Sequence, residues 1–164
     1  MRGLIGFSGR RGIFLSRAIK WFTKSKWSHT FIVLDDELIL EAGRYQVQIT
    51  LYEKYMRDRY TITGFKPFIT KETIETSLNN VIKRVGTSYG WLQIIGIAFV
   101  RGLKKIGIGI RNPFRGGIIC TELVHDYLER LGFDMPFADK DAISPEDLFN
   151  YLKVSDKFEQ VELK

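Results

Sequence analysis

The sequence is short of the residues that staple or anchor a chain. It holds a single cysteine, Cys120, so no internal disulfide can form and a disulfide-stapled fold is excluded. Beside that thiol there are only two histidines, His29 and His125, too few for a four-ligand structural zinc site built of thiolates and imidazoles. The longest apolar stretch covers 91–100 and is interrupted by Gln93, far short of the ~20 residues that span a bilayer. The first residues do not read as a signal peptide. Arg10, Arg11 and Arg17 break the apolar runs, and no small-residue cleavage site follows. A cytoplasmic protein is therefore expected. Repeats and low-complexity tracts are absent, and 164 residues are enough for one core, so a single domain over 1–164 is expected.

Acid is missing locally. Residues 1–28 carry seven basic residues and no acidic one, while the rest of the chain is almost neutral. A second cationic stretch, 101–115, holds Arg101, Lys104, Lys105, Arg111 and Arg115. Both stretches suit an anionic surface, although a solvated basic face is the plainer reading and the one favoured. Specific nucleic-acid recognition is not expected.

The patterning of apolar residues predicts an α+β domain. Strands are expected over 4–8, 30–34, 37–41, 45–51, 60–65 and 158–163, the second and third joined as a hairpin at Asp35-Asp36. Helices are expected over 13–23, 71–85, 90–103 and from Cys120 to just before Gly132. Ser144-Pro145-Glu146-Asp147 is a capping box with proline at the first helical position, which starts a last helix. The stretch 102–117, with five glycines and a proline, reads as loop.

Cys120 opens its helix, where the positive end of the macrodipole favours a thiolate. A nucleophilic cysteine needs a base, and the base needs an orienting partner. His125 lies on the same helix about 140° around the axis from Cys120, so it diverges from the thiol. His29 begins a strand and can face a helix start. Glu41 follows Leu38-Ile39-Leu40, an unusual place for a carboxylate without a partner. His29 and Glu41 share a face only if the hairpin between them has an odd-length loop, so that paired residue numbers sum to an even value. A lone buried cysteine is ordinarily a small hydrophobe and a lone strand histidine a packing residue, so spacing by itself leaves both readings open.

Five segments carry a resemblance. Cys-Thr-Glu-Leu-Val at 120–124 resembles the nucleophile helix of the circularly permuted NlpC/P60 family, the papain-like YiiX/YebB group, in which the histidine strand precedes the cysteine. Trp27-Ser28-His29-Thr30-Phe31-Ile32-Val33 is similar to its histidine strand, and Leu40-Glu41-Ala42 to the strand end that supplies its third polar residue. Gly86-Thr87-Ser88-Tyr89-Gly90-Trp91 and Ser144-Pro145-Glu146-Asp147-Leu148 resemble segments before and after the nucleophile. Gly90 stands where the family pattern has Asp.

The resemblance implies a permuted papain-like fold, an antiparallel sheet packed against helices with the nucleophile at a helix start. It implies a cysteine hydrolase, a peptidase or amidase, with Cys120, His29 and Glu41 as a triad, an acyl-enzyme intermediate and no metal or organic cofactor. Tyr89 is a candidate oxyanion or substrate contact. The substrate would be a peptide or peptidoglycan-fragment amide. An acyltransferase or thioesterase acting on a lipid acyl group is the alternative on the same scaffold. A non-enzymatic basic module for membrane or nucleic acid is the other.

Overall fold

The computed structural model describes residues 1–10, 26–90, 107, 116–137 and 143–163. The expected helices over 13–23 and 90–103, and most of the loop 102–117, lie outside them. So do the cations of 101–115 and most of those in 1–28.

Six strands form one antiparallel sheet: β1 (Ile5–Arg10), β2 (His29–Val33), β3 (Leu38–Ala42), β4 (Val47–Leu51), β5 (Tyr60–Pro67) and β6 (Phe158–Val161), in the order β4-β3-β2-β1-β5-β6. Three α-helices accompany it among the described residues: α1 (Lys71–Val81), α2 (Cys120–Arg130) and α3 (Pro145–Val154). The architecture is α+β, as the pattern predicts.

Strand alternation sorts the apolar residues onto two faces. Ile5, Phe7, Ile32, Leu40, Ala42, Val47 and Phe65 point to the helices and meet Leu78, Val81, Leu123, Val124, Tyr127, Leu128 and Leu148. Phe31, Val33 and Ile39 point the other way and are covered by Tyr52, Tyr55 and Leu163. Tyr52 and Tyr55 belong to a short 3-10 turn, Tyr52–Tyr55, that follows β4. Each fully buried Leu or Phe contributes about 2 kcal/mol. Exposed ion pairs such as Arg2–Glu75 are screened by solvent and add little. The apolar layers, not the surface charges, hold sheet and helices together.

Several boundaries differ from the pattern-based reading. β3 begins at Leu38 because the Asp35 carboxylate accepts the N–H groups of Glu37 (2.8 Å) and Leu38 (2.7 Å), which draws 35–37 into the loop. β4 begins at Val47, since Gly43 N–H donates to Gln46 O at 2.9 Å and makes 43–46 a turn. α1 stops at Val81 and its end tightens into a 3-10 turn, Ile82–Arg84. Gly86, at φ +89°, then takes the chain away, which leaves Val85 exposed. β6 ends at Val161, short of Leu163.

The start of α3 matches the capping-box expectation. Asp147 N–H donates to Ser144 Oγ at 3.2 Å, and Ser144 N–H donates to Asp147 Oδ2 at 2.9 Å. This end of α3 is tied to α2 through Thr121, whose hydroxyl donates to Ile143 O at 2.9 Å. Replacing Ser144 by Ala should therefore lower unfolding free energy by about 1 kcal/mol in urea titration, as loss of an N-cap does.

Candidate active site

Cys120 is the first residue of α2, and Ile119 before it is extended (φ −94°, ψ 165°). Glu122 reaches back to accept Ile119 N–H at 3.0 Å, which fixes the helix start. The N–H of Cys120 has no intrahelical acceptor at this position. The approach to the helix depends on Gly117, at φ +80°. A Cβ there would lie 2.5 Å from Ser88 O and 2.6 Å from Gly90 N, both backbone atoms. Only glycine lets this segment lie so close, with Ile118 N–H donating to Ser88 O at 2.9 Å. The segment 86–90 is in turn bound to the sheet edge. Val47 N–H donates to Thr87 O, and Tyr89 N–H to Tyr45 O, both at 2.8 Å.

The thiol is 7% exposed by residue and faces the start of β2. Burial pushes its pKa up. The His29 imidazole and the N–H of Thr30 outweigh burial and hold it below the ordinary value of 9.0. Thr30 Oγ1 also donates to Cys120 O at 3.0 Å, which ties α2 to β2. For His29, burial opposes the charged ring. The hydrogen bonds and charges of Cys120 and Glu41 prevail, raising its pKa from 6.5 to about 9. Thiolate and imidazolium stabilise each other.

The hairpin register brings Glu41 to the same ring. Ile32 pairs with Leu40 and Val33 with Ile39, so paired numbers sum to an even value and the loop, 35–37, has three residues. His29 and Glu41 are then diagonal neighbours on the face that carries Phe31. Glu41 Oε2 lies 2.9 Å from His29 Nε2, which leaves Nδ1 for the sulfur.

The Glu41 carboxylate is 2% exposed and holds three further donors. Tyr55 Oη donates to Oε2 at 2.7 Å, Gln48 Nε2 donates to Oε1 at 3.1 Å, and Lys54 Nζ pairs with Oε1. Burial raises the carboxyl pKa, but His29 and Lys54 overcome it and hold the group far below the carboxylate range. Burial, and then the adjacent Glu41 charge, push the Tyr55 phenol well above 10.0, so it remains a donor. Its ring is stacked on Phe31 at 4.7 Å and faces the His29 ring at 6.1 Å.

The structure thus brings together Cys120, His29 and Glu41. Tyr89 flanks them on the 86–90 segment, half-buried. Its pKa is raised by burial first and then by the nearby charges of Cys120, Glu122 and Glu41. His125 is elsewhere on α2, buried beside Phe137 with Nδ1 3.4 Å from Glu129. Thr30, Gln48, Lys54 and Tyr55 are additions that sequence reasoning missed. One signal pointed to a set of donors without naming its members: a carboxylate in an apolar strand must find partners.

Glu41→Gln should return the thiol pKa toward 9.0 and the His29 pKa toward 6.5, read by thiolate absorbance and by NMR titration. It should also cost about 3 kcal/mol in urea titration, since Lys54 and His29 lose their buried counter-charge. The sign follows from the lowered Glu41 pKa: its contribution is complete above the unfolded value of 4.5 and is lost as pH falls below it.

Compared with known proteins, the chain matches no family model, and no curated protein matches it in sequence.

Proposed function

We propose that this chain is a cysteine hydrolase that cleaves an amide bond through an acyl-enzyme on Cys120. The observation that carries the reading is the buried thiol paired with His29, whose ring is fixed by Glu41. A packing cysteine needs no imidazole, and a packing histidine needs no buried carboxylate. The proposed substrate class, a peptide or cell-wall peptide amide, and the finer fold assignment, permuted papain-like, are supported by the sequence resemblance.

In the proposed cycle the Cys120 thiolate adds to the substrate carbonyl. The N–H at the start of α2 receives the oxyanion, with Tyr89 as a second candidate donor. The C–N bond then breaks, and the leaving nitrogen takes the proton of the His29 imidazolium. A water gives its proton to the neutral ring and attacks the thioester. The carboxylic acid leaves, and sulfur and ring return to the ion pair. Glu41 keeps Nδ1 aimed at the sulfur and stabilises the ring's positive charge throughout. His29, with one-fifth of its side chain exposed, is open to water and to a leaving group.

Labelling with a peptidyl acyloxymethyl ketone tests the reading. Modification of Cys120 at neutral pH, located by mass spectrometry, is expected, and Cys120→Ala and His29→Ala should each remove it. Modification appearing only above pH of about 8.5, as for a free thiol, would overturn the activated pair. On an amide substrate, kcat/KM should follow a bell. It rises where the thiol ionises, below 9.0, and falls where His29 loses its proton, near 9.

A further inference from the structure

A hydrolase of this kind makes opposite demands on one imidazole. In the resting state His29 must keep its proton until the leaving group takes it. In the acyl-enzyme it must be neutral, to take a proton from water. Two anions hold the proton in the resting state: the sulfur and the Glu41 carboxylate. Acylation removes the first. The second remains, buried and 2.9 Å from the ring. By itself it would keep the ring protonated in the state that needs a base.

The structure supplies an offset. Lys54 sits on Glu41 Oε1, the oxygen His29 does not use. Its Nζ also lies 4.9 Å from the centre of the Tyr55 ring. Charges then alternate along one row: sulfur, imidazolium, carboxylate, ammonium. The groups facing this row come from every neighbouring element. Cys120 and Glu122 come from α2, Gln48 from β4, Lys54 and Tyr55 from the 3-10 turn, Tyr60, edge-on to Tyr55, from β5, and Tyr89 from the 86–90 segment. Among the described residues, Lys54 is the one lysine or arginine paired with this carboxylate. Its side chain is 32% exposed, so it is not core, yet its charge is spent on a carboxylate that is 2% exposed.

We propose that Lys54 is a positioning residue that offsets the Glu41 charge, so that His29 gives up its proton once the sulfur is acylated. The inference rests on the hydrolase reading above and adds a residue that acts through Glu41 rather than on substrate. Without Lys54, acylation would proceed and the acyl-enzyme would be slow to hydrolyse at neutral pH.

The test separates the two ideas. Iodoacetamide converts Cys120 to a neutral thioether, the charge state of an acyl-enzyme, without any substrate. His29 is then titrated by NMR in capped protein carrying labelled histidine, for the native chain, Lys54→Met, Lys54→Gln and Lys54→Arg. The two neutral variants should raise the His29 pKa by about one unit, a tenfold gain in proton affinity, and Lys54→Arg should stay near the native value. In turnover, Lys54→Met should keep its acylation burst, lose about tenfold in deacylation at neutral pH, and recover as pH rises. Unchanged titration in both neutral variants would overturn the inference, as would a Lys54→Arg protein that behaves like Lys54→Met. The expected shift in capped protein, with no acyl-enzyme from any amide substrate, would keep Lys54 as the residue that sets the His29 proton and overturn the hydrolase reading.

Discussion

The site depends on one buried carboxylate. A charge that leaves water costs several kcal/mol unless donors replace its hydration. Glu41 finds four of them, on β2, on β4 and on the 3-10 turn after β4. The same bonds that make the anion tolerable fasten those elements to β3. They also give His29 a fixed ring orientation and a reason to be charged. The bonds that fasten the elements and those that orient the ring are the same set.

The two faces of the sheet contribute different halves of the site. The helix face carries α2 and its thiol, while the opposite face carries His29, Glu41 and the tyrosines. They meet at the start of β2, where successive residues point to opposite sides. His29 reaches the sulfur from one face, and the Thr30 hydroxyl binds the Cys120 carbonyl from the other. Further along the strand, neighbouring residues would be separated by the sheet itself. At a strand end, consecutive side chains on opposite faces can serve a single residue.

Much of this arrangement was legible in the chain. The capping box of α3, the β-rich first half and the helix beginning at Cys120 follow from local rules, because caps and periodicity act within a few residues. The pairing of His29 with Glu41 was legible only as a condition: a period of two puts them on one face if the loop is odd, and the apolar pattern left the loop length open. The boundaries of β3 and α1 were not legible. Asp35 takes the amides that would have extended β3, and a 3-10 turn before Gly86 shortens α1. Both are decided by particular hydrogen bonds rather than by apolar spacing. Lys54 and Tyr55 were invisible for a different reason. Tyr52-Glu53-Lys54-Tyr55 is a single turn, too short for a period to show, and what these residues do appears only when the turn folds back over β2 and β3.

The three-residue loop at 35–37 has a consequence for how such a gene can change. It touches no atom of the candidate site, and its tip is exposed. A substitution at Asp36 would leave the strands where they are. Gain or loss of a single codon there would shift β3 by one place and turn Glu41 to the helix face, while Leu40 came round to His29. Gain of two codons would restore the parity. The loop thus tolerates a change of residue but not a change of parity, although it lies away from the site that the parity protects.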